Sequence, residues 1–262
     1  MKTLRTWTLA TCCCIGSVLL AQEPSYSTQE ILKDLEFFNG WEASQLAPNF
    51  KKKQLTNFRS PLMRQLAENM IEGNYQKEYR LKTYRPIASN KILQNKLKLS
   101  DGYSRYENIT GMYLEKGENV VLVGDMHGRE INLLIPDWMR QPTPGFAPTK
   151  DPEGWELKKQ VIALHEGVNV IHVKKSGNVY IDYFADDPET APGITIHFVT
   201  GKVNGYFDAE TQTNEDWNKL LDQAVSPVMD VKTRYMQLAY PVEFLKKFDY
   251  GKGRELAQAY DQ

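Results

Sequence analysis

Cysteine is confined to three adjacent positions, Cys12, Cys13 and Cys14, in a chain of 262 residues. No disulfide can staple the rest of the chain, so its fold must be held by an apolar core, which this length can supply. Histidine is scarce: His127, His165, His172 and His197 are all there are. No H-E-x-x-H pair occurs, so the helix that would place two imidazoles on one metal is absent. Excess charge is missing too. A net charge of −1 argues against a nucleic-acid partner or a strongly charged membrane surface. The one sustained apolar run, Leu9 to Leu20, is too short for a comfortable membrane span.

What the N-terminus has instead is the order of a secretory signal. Lys2 and Arg5 form a positive start, Leu9–Leu20 the apolar middle, and Ala21 precedes the polar Gln22-Glu23-Pro24. Residues 1–21 are therefore expected to be a signal peptide, the mature chain to have no membrane span, and the protein to be secreted, periplasmic or at the cell surface. The cysteines fall inside that segment and read as signal sequence.

Residues 22–97 read as a helical region. Ser27-Thr28-Gln29-Glu30 is a capping box, followed by Ile31, Leu32, Leu35 and Phe38 at helical spacing. Ser60-Pro61 starts a second helix, with Leu62, Leu66, Met70 and Ile71 as its buried stripe. A third helix is expected within 75–97. From residue 109 the period shifts towards two. Strands are expected at Gly111–Leu114, Asn119–Val123, Glu130–Ile135, Gln160–Leu164, Asn169–Val173, Val179–Phe184, Ile194–Val199 and Val203–Phe207. No helical pattern of crossover length separates them, which excludes a parallel α/β sheet. The expected class is α+β: an antiparallel, jelly-roll-like β-sandwich over 98–262, preceded by the helical region and followed by short helices. After the sheet, Asn214-Glu215-Asp216-Trp217 opens a helix, Val231–Leu238 reads as a last strand, and Pro241–Phe248 and Arg254–Tyr260 as helices.

Two local motifs suggest metal chemistry and fall short of it. Gly124-Asp125-Met126-His127-Gly128 after an apolar strand looks like the first motif of calcineurin-like metallophosphoesterases, but the further Asp, Asn and His motifs of a two-metal site are absent. His165-Glu166-Gly167-Val168-Asn169 begins like a zincin and has Asn where the second His must stand. No catalytic residue and no metal ligand is assigned. Aromatic rings are plentiful, and exposed rings on a sandwich can stack on sugars. Tyr103, Tyr106, Trp138 and Trp155 are the candidate ligand-binding residues.

Several blocks in a fixed order carry a wider resemblance. They are Tyr103 to Glu118 around Asn108-Ile109-Thr110-Gly111-Met112-Tyr113; Leu164-His165-Glu166-Gly167-Val168-Asn169; Lys175-Ser176-Gly177-Asn178-Val179-Tyr180-Ile181; Ile196-His197-Phe198; and Gly201-Lys202-Val203-Asn204-Gly205-Tyr206-Phe207-Asp208. Together, 102–262 resembles the non-catalytic first part of the enhancin-like zinc metallopeptidases, peptidase family M-sixty. Ile109 stands where the family usually has Pro. The resemblance implies a secreted, mucin- or glycoprotein-directed architecture with glycans as partners. The family's zinc belongs to its H-E-x-x-H half, expected beyond Tyr260-Asp261, so no cofactor is expected in this chain. Such a chain would be proteolytically inert alone. The alternative is a stand-alone carbohydrate- or glycoprotein-binding sandwich. Leu256 and Tyr260 share one face of the last helix. That face would lack a partner in the first case and pack back on the sandwich in the second.

Overall fold

The computed structural model describes residues 25–98, 108–147, 150–152 and 158–262. The signal segment, Tyr103, Tyr106 and Trp155 lie outside them. In chain order the elements are α1 (Thr28–Asp34), α2 (Pro61–Ile71), β1 (Leu81–Tyr84), β2 (Ile87–Ala88), α3 (Asn90–Leu97), β3 (Ile109–Leu114), β4 (Gly117–Val123), β5 (Asn132–Pro136), β6 (Lys159–Ala163), β7 (Gly167–Val173), β8 (Gly177–Asp182) and β9 (Phe184–Ala185). They continue with β10 (Ile194–Phe198), β11 (Lys202–Val203), β12 (Phe207–Asp208), α4 (Asn214–Gln223), β13 (Val228–Lys232), β14 (Gln237–Pro241), α5 (Val242–Phe248) and α6 (Gly253–Asp261).

Two antiparallel sheets face each other. One runs β1-β10-β4-β7 and the other β11-β3-β8-β5-β6. Between them lies the main core, with Met112, Leu114, Val121, Val123, Leu133, Ile135, Val179, Ile181, Ile196 and Phe198 all essentially buried. The alternation is legible in β8: Val179 and Ile181 enter this core, while Asn178 and Tyr180 point to the other face.

β4 is apolar without alternation because both its faces are covered. Val121 and Val123 join the sandwich core, whereas Val120 and Leu122 pack under the helical layer with Ile31, Phe38, Met63 and Leu66. That layer is tied together through Asp34, a buried carboxylate that accepts the backbone N–H groups of Arg59 and Ser60 at 2.7–3.0 Å. Ser60 in turn caps α2, its hydroxyl accepting from Met63 N at 3.4 Å. Ser27 caps α1 in the same way.

The other outer face, that of the five-stranded sheet, is covered by a C-terminal α/β unit. Its sheet runs β12-β13-β14. Its own core holds Phe207, Trp217, Leu221, Met229, Val231, Val242 and Leu245. Trp217 is fully buried, and its Nε1 donates to the Asp249 carbonyl at 2.9 Å.

The structure amends four expectations. Residues 22–97 are not wholly helical: β1 joins the sandwich edge through β10 and β2 pairs with β9, leaving only Asn90–Leu97 as the third helix. Short-range pattern could not show this, since a four-residue strand is specified by the partner it meets. The expected strand Val203–Phe207 is two strands, β11 and β12, broken at Asn204-Gly205-Tyr206 and serving different sheets. The expected strand Val231–Leu238 is a hairpin, β13 and β14, turning at Thr233–Met236. The pairing is not wholly antiparallel either, because β2–β9 and β12–β13 are parallel. In α6, Leu256 packs on the C-terminal core and the Tyr260 hydroxyl bonds that of Tyr240. That face therefore lies on the C-terminal unit and not on the sandwich sheets.

Candidate functional site

The two histidine motifs meet at one end of the four-stranded sheet. β4 and β7 are paired, with Val123 opposite Gly167, so the turns that follow β4 and precede β7 lie together. Met126 N donates to Glu166 Oε1 at 2.8 Å. The geometry explains both motifs as turn chemistry. Asp125 Oδ1 accepts from His127 N at 2.7 Å, and His127 takes φ 52°, a left-handed conformation that such a local bond supports. Asn169, standing where a zincin would have its second His, clasps its own turn. Its Oδ1 accepts from His165 N at 2.9 Å and its Nδ2 donates to His165 O at 2.7 Å. Among the described residues no group of three His, Cys, Asp or Glu side chains is placed to hold a metal. The described donors at these two turns do not fit a zinc ion.

The remaining histidines part company. His172 is exposed on β7. His197 is fully buried and joins the helical layer to β10. Its Nδ1 donates to the Glu42 carbonyl, so its Nε2 accepts from the Tyr75 hydroxyl. Burial holds its pKa down at about 4, and the same burial pushes Tyr75 up to about 12. The imidazole is therefore a neutral structural link.

Trp138 is the one sequence-proposed ligand residue among those described, and it lines a groove. The groove encloses about 370 Å³ at the end of the five-stranded sheet. Its walls come from four places in the chain: Tyr113 and Lys116 at the β3–β4 turn, Pro136–Met139 after β5, Lys174–Asn178 at the β7–β8 turn, and Ser226–Val228 leading into β13. Register brings the first three together, since Tyr113 opposes Asn178 and Leu114 opposes Gly177, and β5 pairs with β8 along its other edge, Leu134 opposite Tyr180. A Cβ at Gly177 would stand 2.8 Å from Ile135 Cγ2, so glycine there lets β8 approach β5 closely.

The groove is braced by hydrogen bonds that leave its mouth open. Ser176 Oγ accepts from Lys116 N at 2.8 Å. Gln160 bridges the β7–β8 turn, receiving Lys174 N at 2.7 Å and donating to Lys175 O at 2.8 Å. Lys175 Nζ pairs with Asp137 at 2.5 Å. Asn204 holds the fourth wall, its Oδ1 accepting from Val225 N and Ser226 N at 3.0 and 2.9 Å.

Behind the groove runs a buried polar chain. Trp138 Nε1 donates to the Tyr180 hydroxyl at 3.0 Å, with the rings edge to face at 6.1 Å. The Tyr180 hydroxyl donates to Asp230, and Asn178 Nδ2 donates to the same carboxylate at 2.9 Å and to Val228 O at 3.1 Å. Burial raises the Asp230 pKa to about 7, against the lowering effect of those two donors. This chain fixes one edge of the Trp138 indole.

Sequence reasoning missed Asn178, Lys116 and Lys174 as groove residues. Their only signal was position, in turns at matching ends of adjacent strands.

Neither a protein-family model nor a curated protein matches the chain. Solved structures do match its fold. A metallopeptidase from Bacteroides thetaiotaomicron superposes with a TM-score of 0.73 at 22% identity, over 92% of this chain and 40% of that one. A metallopeptidase in complex with Tn antigen gives 0.60 at 24% identity, over 72% and 34%. The M60 catalytic domain of Clostridium perfringens ZmpC, in complex with the sialyl T antigen, gives 0.52 at 14% identity, over 69% and 38%. The chain spans 40% or less of the length of each of these proteins. At these identities the likeness is one of fold, and it is the fold of the enhancin-like family that the ordered motifs resemble.

Proposed function

We propose that this chain is an exported, glycoprotein-directed sandwich of the enhancin-like peptidase architecture, which contacts glycans through the Trp138 groove and cuts no peptide bond by itself. The observation that carries the reading is the groove: an indole wall, braced from behind and open in front, built where four segments converge on one end of a β-sandwich. Such a site suits a sugar, whose apolar ring face stacks on an aromatic while its hydroxyls need placed polar partners. The fold likeness to metallopeptidases solved with Tn and sialyl T antigens supports glycans as the ligand class. The lack of any H-E-x-x-H pair supports the absence of peptidase activity, and the charged, apolar, small-residue order of residues 1–21 supports export.

The test uses the purified full chain with a sialylated mucin, supplied with zinc. Retention on immobilised mucin without mucin fragmentation is the expected result. Chelator-sensitive cleavage, or no retention at all, overturns the reading. Mass spectrometry of protein exported by its host should find a chain beginning near Gln22, and an intact Met1 would sink the export claim.

A further inference from the structure

The dipeptide Asn-Gly occurs twice in the chain, at Asn39-Gly40 and at Asn204-Gly205. Asparagine is a chemically labile residue, and a following glycine leaves its own backbone nitrogen unshielded beside the side-chain amide. The fold treats the two copies in opposite ways. Asn204 is 4% exposed, and its amide is clamped at both ends. Its Oδ1 accepts from Val225 N and Ser226 N at 3.0 and 2.9 Å, and its Nδ2 donates to Val228 O at 3.4 Å. The nitrogen that would attack it, Gly205 N, is itself engaged, donating to Gly111 O at 2.9 Å.

Asn39 has none of these restraints. Asn39 and Gly40 are both exposed. Among the described residues neither the Asn39 side-chain amide nor Gly40 N makes a hydrogen bond. Asn39 lines a cavity of about 490 Å³ with Glu42, Gln45 and Thr83, where water reaches it. The turn it opens is also structural. Asn39 N donates to Gln45 O at 2.8 Å and Phe38 bridges to Leu46. The loop between them presents the Glu42 carbonyl to the buried His197 on β10. A Cβ on Gly40 would stand 2.6 Å from Glu42 Oε2, so the Glu42 carboxylate lies against this corner.

We propose that Asn39 is a site of spontaneous deamidation, and that the isoaspartate formed there loosens the helical layer from the four-stranded sheet. Gly40 N attacks Asn39 Cγ. The N–Cγ bond forms, the Cγ–Nδ2 bond breaks, and ammonia leaves with the proton from Gly40 N. Water then opens the cyclic imide. Addition at Cγ gives aspartate. Addition at the backbone carbonyl of the same residue gives isoaspartate, whose main chain runs through Cγ and is longer by one methylene. Water is the only co-reactant. Either product sets a new carboxylate beside that of Glu42, where like charges repel. The lengthened turn no longer holds the Glu42 carbonyl in line with His197. The site lies apart from the Trp138 groove and does not depend on the glycan reading.

Peptide mapping of the full chain, aged at mildly alkaline pH, tests the proposal, with aspartate and isoaspartate peptides separated by chromatography. Asn39 should convert at least about tenfold faster than Asn204, because reaction at Asn204 must wait for its surroundings to open. In urea both turns are unfolded and the two should convert at similar rates, which assigns the difference to the fold. The aged protein should unfold at lower denaturant than the fresh protein. Asn39→Ser replaces an exposed side chain that has no partner, so it should unfold like the fresh wild type and keep that midpoint on ageing. Comparable conversion of both asparagines in the folded chain, or an Asn39 that stays intact, overturns the proposal. So does an aged wild type that is modified at Asn39 and still unfolds at the fresh midpoint, or an aged Asn39→Ser protein that weakens as much as the wild type.

Discussion

The two outer faces of the sandwich are covered in opposite ways. Over the four-stranded sheet the helical layer lays down an apolar contact, Val120, Leu122 and Val168 against Ile31, Phe38, Met63 and Leu66. His197 is the buried polar link there. Over the five-stranded sheet the C-terminal unit is joined largely by a polar network, Asn178 and Tyr180 on Asp230, with Asn204 clasping the loop into β13. Apolar cover is tolerant of its exact geometry, because burial energy scales with area. A buried polar joint demands that every partner be placed. The polar face is also where the groove lies, and Asn178 in its wall keeps a buried Oδ1 without a partner.

That contrast can be broken most forcefully on the apolar side. Leu122→Ala should destabilise the protein by about 2–5 kcal/mol, through lost transfer energy and the cavity left under the helical layer. Denaturant unfolding measures it. On the polar side, Asp230→Ala removes the acceptor that the Tyr180 hydroxyl and Asn178 Nδ2 share and should cost roughly 1–3 kcal/mol. It should also loosen Trp138, seen as a change in tryptophan fluorescence. An Asp230→Ala loss larger than that of Leu122→Ala would mean that the polar joint, not the apolar one, dominates the cover of the sandwich.

The pH response sharpens the same comparison. The folded His197 titrates at about 4 against an ordinary 6.5. The unfolded chain therefore takes up that proton first, and stability is lost as pH falls through this window. Asp230 is the reverse, raised from 3.8 to about 7. Its contribution is fully present below the unfolded value and is lost as pH rises towards 7. The two slopes oppose each other and are of similar size, so between pH 4 and 7 they should largely cancel. His197→Gln should unmask the falling slope and Asp230→Asn the rising one, read from unfolding midpoints at successive pH values. Identical profiles in both variants would sink this assignment.

The smallest effect belongs to a cap. Ser60→Ala removes the acceptor for Met63 N, and at 3.4 Å that bond is long. A loss of about 0.5–1 kcal/mol is expected, the low end for a helix N-cap. It should register in the midpoint without altering glycan binding.

Most of the strands were legible in advance, and the misses share a cause. β3 through β8 and β10 announce themselves by apolar runs between turn residues. β1, β2, β11 and β12 are two to four residues long, too short to carry a period, and each exists because a partner strand is there to receive it. The walls of the groove were legible only in part. An aromatic in a Pro-rich loop could be picked out, but Asn178 reads as an ordinary turn residue until its Nδ2 is seen pointing at Asp230.

By itself the sequence determined the class of the protein: an apolar core without disulfides and an antiparallel sandwich flanked by helices. Those properties depend on composition and local period, which each segment carries alone. Only the tertiary structure decided which faces the flanking units cover, that Asp125-His127 and His165-Glu166 are paired turns, and that Trp138, Asn178, Lys116 and Lys174 share one groove. These are relations between residues far apart in the chain, set by strand register and by where buried polar atoms find partners, and no single segment encodes them.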